Sequence, residues 1–318
     1  MPPKQQTPNS PKCGYDQSGT IATWTAQCPT QGRCNECGIQ FQWANIFDPS
    51  RTRIHWYTEH TRSPLGLILK TPGTLLRILL PHRFWRAVDI TKVTHPWRLI
   101  IWVMLIMLLA HLLISIPNGF VVRNNQNWSN LTLSQYYQIY HNYGIAENIC
   151  DAIAFPFFDA HPQAYSHQWT LFVTKGRPNV WYEEFFGVIN FQLGFLSLWL
   201  LILYAIPTTK KLAKIRSAHV IRAAALSFLM IFLSFELSRF LKLLYPMTGS
   251  RFNLIWIGIR LVVPAAVIWQ ILFWSSAISI GWKVRRWKLL VILGTLAALL
   301  GGSAFSIYSF LINQNSIQ

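Results

Sequence analysis

The chain has 318 residues, 52% of them hydrophobic, and carries 28 Lys and Arg against 11 Asp and Glu, a formal charge of +17. Its apolar residues gather into stretches of about 20, the length a helix needs to cross about 30 Å of hydrocarbon, so the sequence reads as an integral membrane protein. The basic residues bracket those stretches and face lipid headgroups, which sets aside a nucleic-acid partner as the meaning of the charge. Residues 1–10 are expected to be a disordered tail. The run Met1–Pro11 is polar and proline-rich, and with no apolar region before the first crossing it does not read as a signal peptide.

Residues 11–50 hold four of the five cysteines, Cys13, Cys28, Cys34 and Cys37. Cys34-Asn35-Glu36-Cys37-Gly38 has the C-x-x-C-G form of a zinc knuckle, two thiolates gripping one ion from a tight turn whose glycine supplies positive φ. Cys13-Gly14 is a half-knuckle of similar shape, and Cys28 would complete a tetrahedral set around one structural zinc ion. A unit this short cannot bury a sizeable core, so the metal is expected to supply most of its folding free energy. A disulfide competes with this reading but conflicts with a reducing cytoplasm, and a thioredoxin-like redox pair lacks the surrounding βαβ pattern. Trp24, Phe41 and Trp43 serve either as the core of the unit or as an exposed docking surface, with the core favoured. Between Cys13 and Phe47 the charged residues are Asp16, Arg33 and Glu36, which leaves no phosphate footprint there. Cys150 lies far away and reads as a small apolar side chain.

The run Cys13-Gly14-Tyr15-Asp16, followed by Gly19, Trp24, Cys28-Pro29, Gly32, Cys34, Glu36-Cys37-Gly38, Phe41 and Trp43, resembles the zinc ribbon that opens a group of bacterial multi-pass membrane proteins. Such ribbons often begin C-x-x-C-G-Y-D. Here Ser10 stands where the first cysteine would be, and the resemblance then implies Cys28 as the substitute fourth ligand. It also implies a bacterial inner-membrane location. More loosely, five crossings entered through Pro81, Phe84 and Trp85 are similar to the Yip1-like membrane family.

Residues 51–96 are expected to be a linker with an interfacial amphipathic helix. Apolar residues from Leu65 to Val88 interleave with Lys70, Arg77, Arg83 and Arg86, a pattern that suits a helix lying on the cytoplasmic leaflet. The alternative is a helix folded on the membrane domain through the same apolar face. Pro72 and Pro81 should break this segment into pieces too short to span. His55, Glu59 and His60 have neither the H-E-x-x-H nor the H-x-x-E-H spacing of a metallopeptidase helix and read as a polar, partly helical linker.

The membrane domain, 97–318, has five expected crossings, Trp97–Pro117, Phe185–Ile206, His219–Leu241, Leu254–Ile280 and Leu289–Ile312. Lys plus Arg number 12 in 1–98, 3 in 118–184, 5 in 207–222, 2 in 241–253 and 4 in 281–288. Because basic segments stay inside, the N-terminus is expected in the cytoplasm, with segment 118–184 and the C-terminus outside. In 118–184, Thr132 and Gln135 form a capping box for a helix carrying Tyr136, Tyr137, Tyr140 and Tyr143, which covers the bundle or acts as a lid. Glu236 and Arg260 should pair at equal depth on antiparallel neighbours, with His111 and Asn190 near the same level and Arg239 reaching the external headgroups. Gly301-Gly302-Ser303 begins a G-x-S-x-G element, but Phe305 replaces its last glycine and no histidine follows His219, so no serine-protease pair assembles.

The sequence thus points to an all-α polytopic membrane protein of five transmembrane helices with a small N-terminal zinc ribbon. The expected role is non-enzymatic, with lipid around the helices and a cytoplasmic protein partner on the ribbon. The alternative is a small transporter or channel-like protein built on the layer of Glu236, Arg260, His111 and Asn190. No catalytic residue and no cofactor beyond one zinc ion are expected.

Overall fold

The structure is a computed structural model that describes residues 7–25, 27–126, 153, 180–205, 214–248, 253–284 and 287–315. The expected capping box at Thr132 and Gln135, the tyrosines that follow it, Cys150, Lys210 and Lys211 lie outside the described residues.

A small head comes first: helix α1 (Ser18–Ala22), strand β1 (Gln31–Arg33), strand β2 (Gln40–Gln42) and helix α2 (Trp43–Phe47). The strands pair antiparallel with Gly32 opposite Phe41. Phe41 and Trp43 are buried and meet edge to face at 5.0 Å, and Trp24 meets Trp43 in the same way at 4.7 Å. These rings form the core of the head, where they offset the small apolar area that so short a segment can bury. The head also starts earlier than expected. Asn9 bridges Asp16, the Gln17 amide donates to the Pro8 carbonyl at 2.9 Å, and Ser10 is fully buried, so residues 8–10 belong to the head and not to a tail.

The following segment is folded throughout. Two short 3-10 turns, Pro49–Thr52 and Thr58–His60, lead to α3 (Pro64–Ile78) and α4 (Pro81–Ala87). Ser63 caps α3 by accepting from the Gly66 amide at 3.1 Å, and Pro64 sits in the first turn, where its missing N–H costs nothing. Pro72 does not break α3, contrary to the sequence expectation. Its ring removes one bond, that to the Ile68 carbonyl, while the inward face holds the helix across it. There Thr71 accepts from the Trp102 indole at 2.9 Å, Thr74 donates to the Trp56 carbonyl at 3.0 Å, and the Ile78 carbonyl accepts from the Trp269 indole at 3.3 Å. The opposite face exposes Leu65, Ile68, Leu69 and Leu76. Pro81 does mark a boundary, opening α4 as its first residue.

Among the described residues five long helices follow: α5 (Pro96–Gln126), α6 (Val180–Ala205), α7 (Ser217–Thr248), α8 (Asn253–Ser276) and α9 (Trp287–Asn315), with a π-helical turn Ala277–Gly281 extending α8. Among the described residues four stretches are long and apolar enough to cross a membrane: Pro96–Pro117, Ser217–Leu241, Pro264–Gly281 and Trp287–Ile307. The apolar stretch described within α6, Phe191–Leu203, is shorter. On α5 the outward residues are Trp97, Ile101, Met104, Leu105 and Leu108, while Leu99, Trp102 and Val103 are buried. A helix that is apolar on both faces has no water-facing side, which is the mark of lipid contact.

The chain divides into two compact units. One comprises residues 1–103, 196–228 and 268–299, and its core is aromatic: Trp199 stacks on Trp274 at 5.4 Å, and Trp85 packs against Phe273 and Trp282. The other comprises residues 104–195, 229–267 and 300–318. In it α6 and α9 approach backbone to backbone, because a Cβ on Gly302 would lie 2.8 Å from the Phe191 carbonyl oxygen and one on Gly194 would lie 2.9 Å from that of Gly301. The Gly301-Gly302 pair therefore has a packing role, as small residues do wherever membrane helices touch closely.

Candidate metal centre and buried polar clusters

Two backbone hooks of the same form face each other in the head. The Gly14 amide donates to the Ser10 carbonyl at 2.9 Å and the Gly38 amide to the Cys34 carbonyl at 2.9 Å. Gly14 has φ +78° and Gly38 +68°, the left-handed conformation that closes such a turn at no steric cost only for glycine. The hooks bring the sulfurs of Cys13, Cys34 and Cys37 within 4.8 Å of one another. Cys13 Sγ and Cys34 Sγ are 3.6 Å apart, close to the roughly 3.8 Å edge of a tetrahedron with metal–sulfur bonds of about 2.3 Å. That separation is far too long for a disulfide, whose bond is about 2.05 Å. The group can hold a metal ion.

Cys28 is not part of it. Its thiol is exposed and donates to the adjacent Pro29 carbonyl at 3.5 Å. The first hook closes on the residue three before Cys13, which is Ser10, and Cys28 belongs to neither hook. Ser10 instead is buried, with its hydroxyl 3.7 Å from Cys37 Sγ. Gln17 donates to Cys34 Sγ from the buried side at 3.4 Å. Burial opposes ionisation of Cys34, but donors around it, the Cys37 amide and the Ser10 hydroxyl among them, bring its pKa down to about 7. Burial pushes the Cys37 thiol up to about 11.

The head is fastened to the entry of α7 by the residues just before Cys13. The Arg216 amide donates to the Lys12 carbonyl at 2.9 Å and His219 Nε2 donates to the Pro11 carbonyl at 3.1 Å. Lys214 reaches the Glu36 carboxylate at 2.9 Å, a surface pair that contributes little alone. A cavity of about 260 Å³ opens on the head, lined by Pro11, Gln31, Gln40, Gln42, Asn45 and Thr91 among others.

A second cluster surrounds Glu59, which the Thr58–His60 turn buries completely. Arg222, also fully buried, donates from Nε to Oε2 at 2.7 Å and from Nη2 to Oε1 at 3.0 Å, and the His95 amide adds a bond to Oε1. Burial alone would raise the Glu59 carboxyl, but the guanidinium beside it holds it below the ordinary range. His60 Nδ1 accepts from the Ile54 amide at 2.7 Å and Nε2 donates to the Val93 carbonyl at 2.9 Å. These bonds fit a neutral ring, and burial brings its pKa down to about 4. Sequence reasoning placed Glu59 and His60 in a loose polar linker and counted Arg222 with a basic loop. The available signal was a lone arginine between Ile221 and Ala223, at a point where helix and lipid both penalise an unpaired charge.

The third cluster lies between α5 and α7. His111 Nδ1 meets Glu236 Oε1 at 2.8 Å, and Arg239 Nη1 reaches the same carboxylate at 3.1 Å. Arg239 Nη2 donates to Ser115 Oγ at 3.2 Å, and His111 Nε2 meets the Ile153 carbonyl at 2.8 Å. Arg239 is buried and does not reach out to headgroups: three residues along the helix from Glu236, it pairs in place. The side chains of Arg260 and Asn190 lie outside the described residues, so the expected Glu236–Arg260 pair is not described. Ser115, one turn from His111 on the same face, was missed and is legible only once that face is known.

Comparison with protein-family models, with curated proteins and with solved structures finds no match to this chain.

Proposed function

We propose that the chain is a non-enzymatic, five-pass protein of the bacterial inner membrane whose N-terminal head is a cytoplasmic zinc ribbon that docks a protein partner. In this reading α6, helical over 26 residues, supplies the fifth crossing. The observation that carries it is the convergence of three thiols on a head tied through Pro11 and Lys12 to the first turn of α7. Three soft sulfur donors within 4.8 Å of one another suit zinc, which needs no redox chemistry to hold a fold together. The cavity lined by glutamine and asparagine side chains offers a partner hydrogen-bonding groups on the same head. Elemental analysis of the purified full-length protein should find about one zinc per chain, and chelator should lower its unfolding temperature. A metal-free chain with a melt indifferent to chelator would overturn the reading.

The third cluster favours a second reading, a small transporter or channel-like protein. Both ring nitrogens of His111 face oxygen atoms, one of a carboxylate and one of a carbonyl, in a polar layer that also holds Arg239 and Ser115, and such groups at membrane depth commonly mark a path for ions or protons. If that layer reaches water, a Ser115→Cys variant in native membranes gains one thiol reactive to a small charged thiosulfonate reagent over the parent protein. Labelling only after denaturation assigns the cluster a structural role.

A further inference from the structure

The two hooks share one backbone form, and their first residues, a serine and a cysteine, differ in a single atom. Each runs from a residue i, through two others, to a cysteine at i+3 and a glycine at i+4 with positive φ, and each closes by the same amide-to-carbonyl bond of 2.9 Å. In the second hook residue i is Cys34 and in the first it is Ser10. Both are shielded from solvent, Ser10 at 0% and Cys34 at 1% exposure. Ser10 Oγ lies 3.7 Å from Cys37 Sγ and Cys13 Sγ lies 3.6 Å from Cys34 Sγ, so the serine oxygen takes the place in the quartet that a fourth sulfur would take. Cys28 points its thiol at its own neighbour's carbonyl instead.

We infer that the metal centre is a three-thiolate site whose fourth corner belongs to Ser10, and that Cys28 takes no part in it. The inference rests on the proposed metal-binding role of the head and adds the identity of the fourth donor. Three thiolates leave a divalent ion with one net negative charge, and Lys12 and Arg216 lie on the first hook's side to balance it: Lys12 precedes Cys13, and the Arg216 guanidinium packs over Gly14. A serine hydroxyl keeps its proton at neutral pH and is a weaker donor than a thiolate, so the fourth position exchanges, as in zinc sites that retain one open place, and the ion is more easily removed than from a closed four-sulfur ribbon. The first hook is complete in backbone and lacks a sulfur, which makes Ser10→Cys a near-isosteric completion.

The test is cobalt loading of the detergent-purified full-length protein, read by thiolate-to-cobalt charge-transfer absorption, whose strength follows the number of Co–S bonds. The native chain should show three. Ser10→Cys should raise the absorption by about one third and slow release of the ion to chelator, Ser10→Ala should keep three thiolates and quicken release, and Cys28→Ser should change neither. A four-thiolate native spectrum that falls by about a quarter in Cys28→Ser overturns this inference and leaves the metal-binding role standing. Absence of charge-transfer absorption from the native chain removes that role itself.

Discussion

His60 is bonded as a neutral ring on both sides, so its titration opposes folding in acid. The folded ring titrates near 4 against an ordinary value of 6.5. Between those values the unfolded chain takes up a proton that the folded chain refuses, so stability falls as pH drops through the window and is unaffected by this group above it. The loss approaches about 3 kcal/mol at the bottom, at about 1.4 kcal/mol per pH unit. Denaturant melts in detergent at pH 7 and pH 5 should show this loss beginning in the native chain and reduced in His60→Gln; equal losses in both would show that the ring is not the sensor. At this scale the cluster of thiols was partly legible. The Cys34-x-x-Cys37-Gly38 hook is local, and local spacing reveals it. The choice between Ser10 and Cys28 turns on which backbone comes round to meet that hook, and spacing alone favours the residue with the better donor atom.

At the scale of elements, the Glu59–Arg222 pair joins the Thr58–His60 turn to α7. Removing one partner leaves the other charge buried and uncompensated, so Glu59→Gln or Arg222→Met should each destabilise by about 3–5 kcal/mol. The double variant Glu59→Gln with Arg222→Met should recover much of that loss, and thermal melts of all three decide it; losses that simply add would mean the two groups act independently. The pair escaped sequence reasoning because 163 positions separate its members and neither has a periodic signal. The amphipathic character of α3 was legible because alternation of apolar and basic residues survives folding. Its continuity through Pro72 was not, since a local steric rule was outweighed by bonds from the Trp102 and Trp269 indoles and to the Trp56 carbonyl that only tertiary structure supplies.

For the whole molecule, composition carried most of the information. Four of the expected crossings reappear as helices of suitable length, since a run of about 20 apolar residues has few other stable fates. The proposed topology places the N-terminus inside and the C-terminus outside, following the distribution of Lys and Arg. A reporter fused after Gln318 that is active only in the periplasm would agree with this; activity in the cytosol would reverse the membrane orientation or change the number of passes. The inward faces of the helices were less legible, because hydropathy treats Arg222 and Arg239 as interruptions and does not register that each is matched by a carboxylate.

The attachment of the head has one further consequence. Lys12 is at once the neighbour of a thiol and the acceptor for the Arg216 amide, so the first hook and the residues that open α7 are joined by a main-chain hydrogen bond. A rearrangement of the sulfurs, by oxidation or by an ion bound and lost, therefore acts one residue away from the bond that holds the head to the start of α7, a helix apolar enough to cross a membrane.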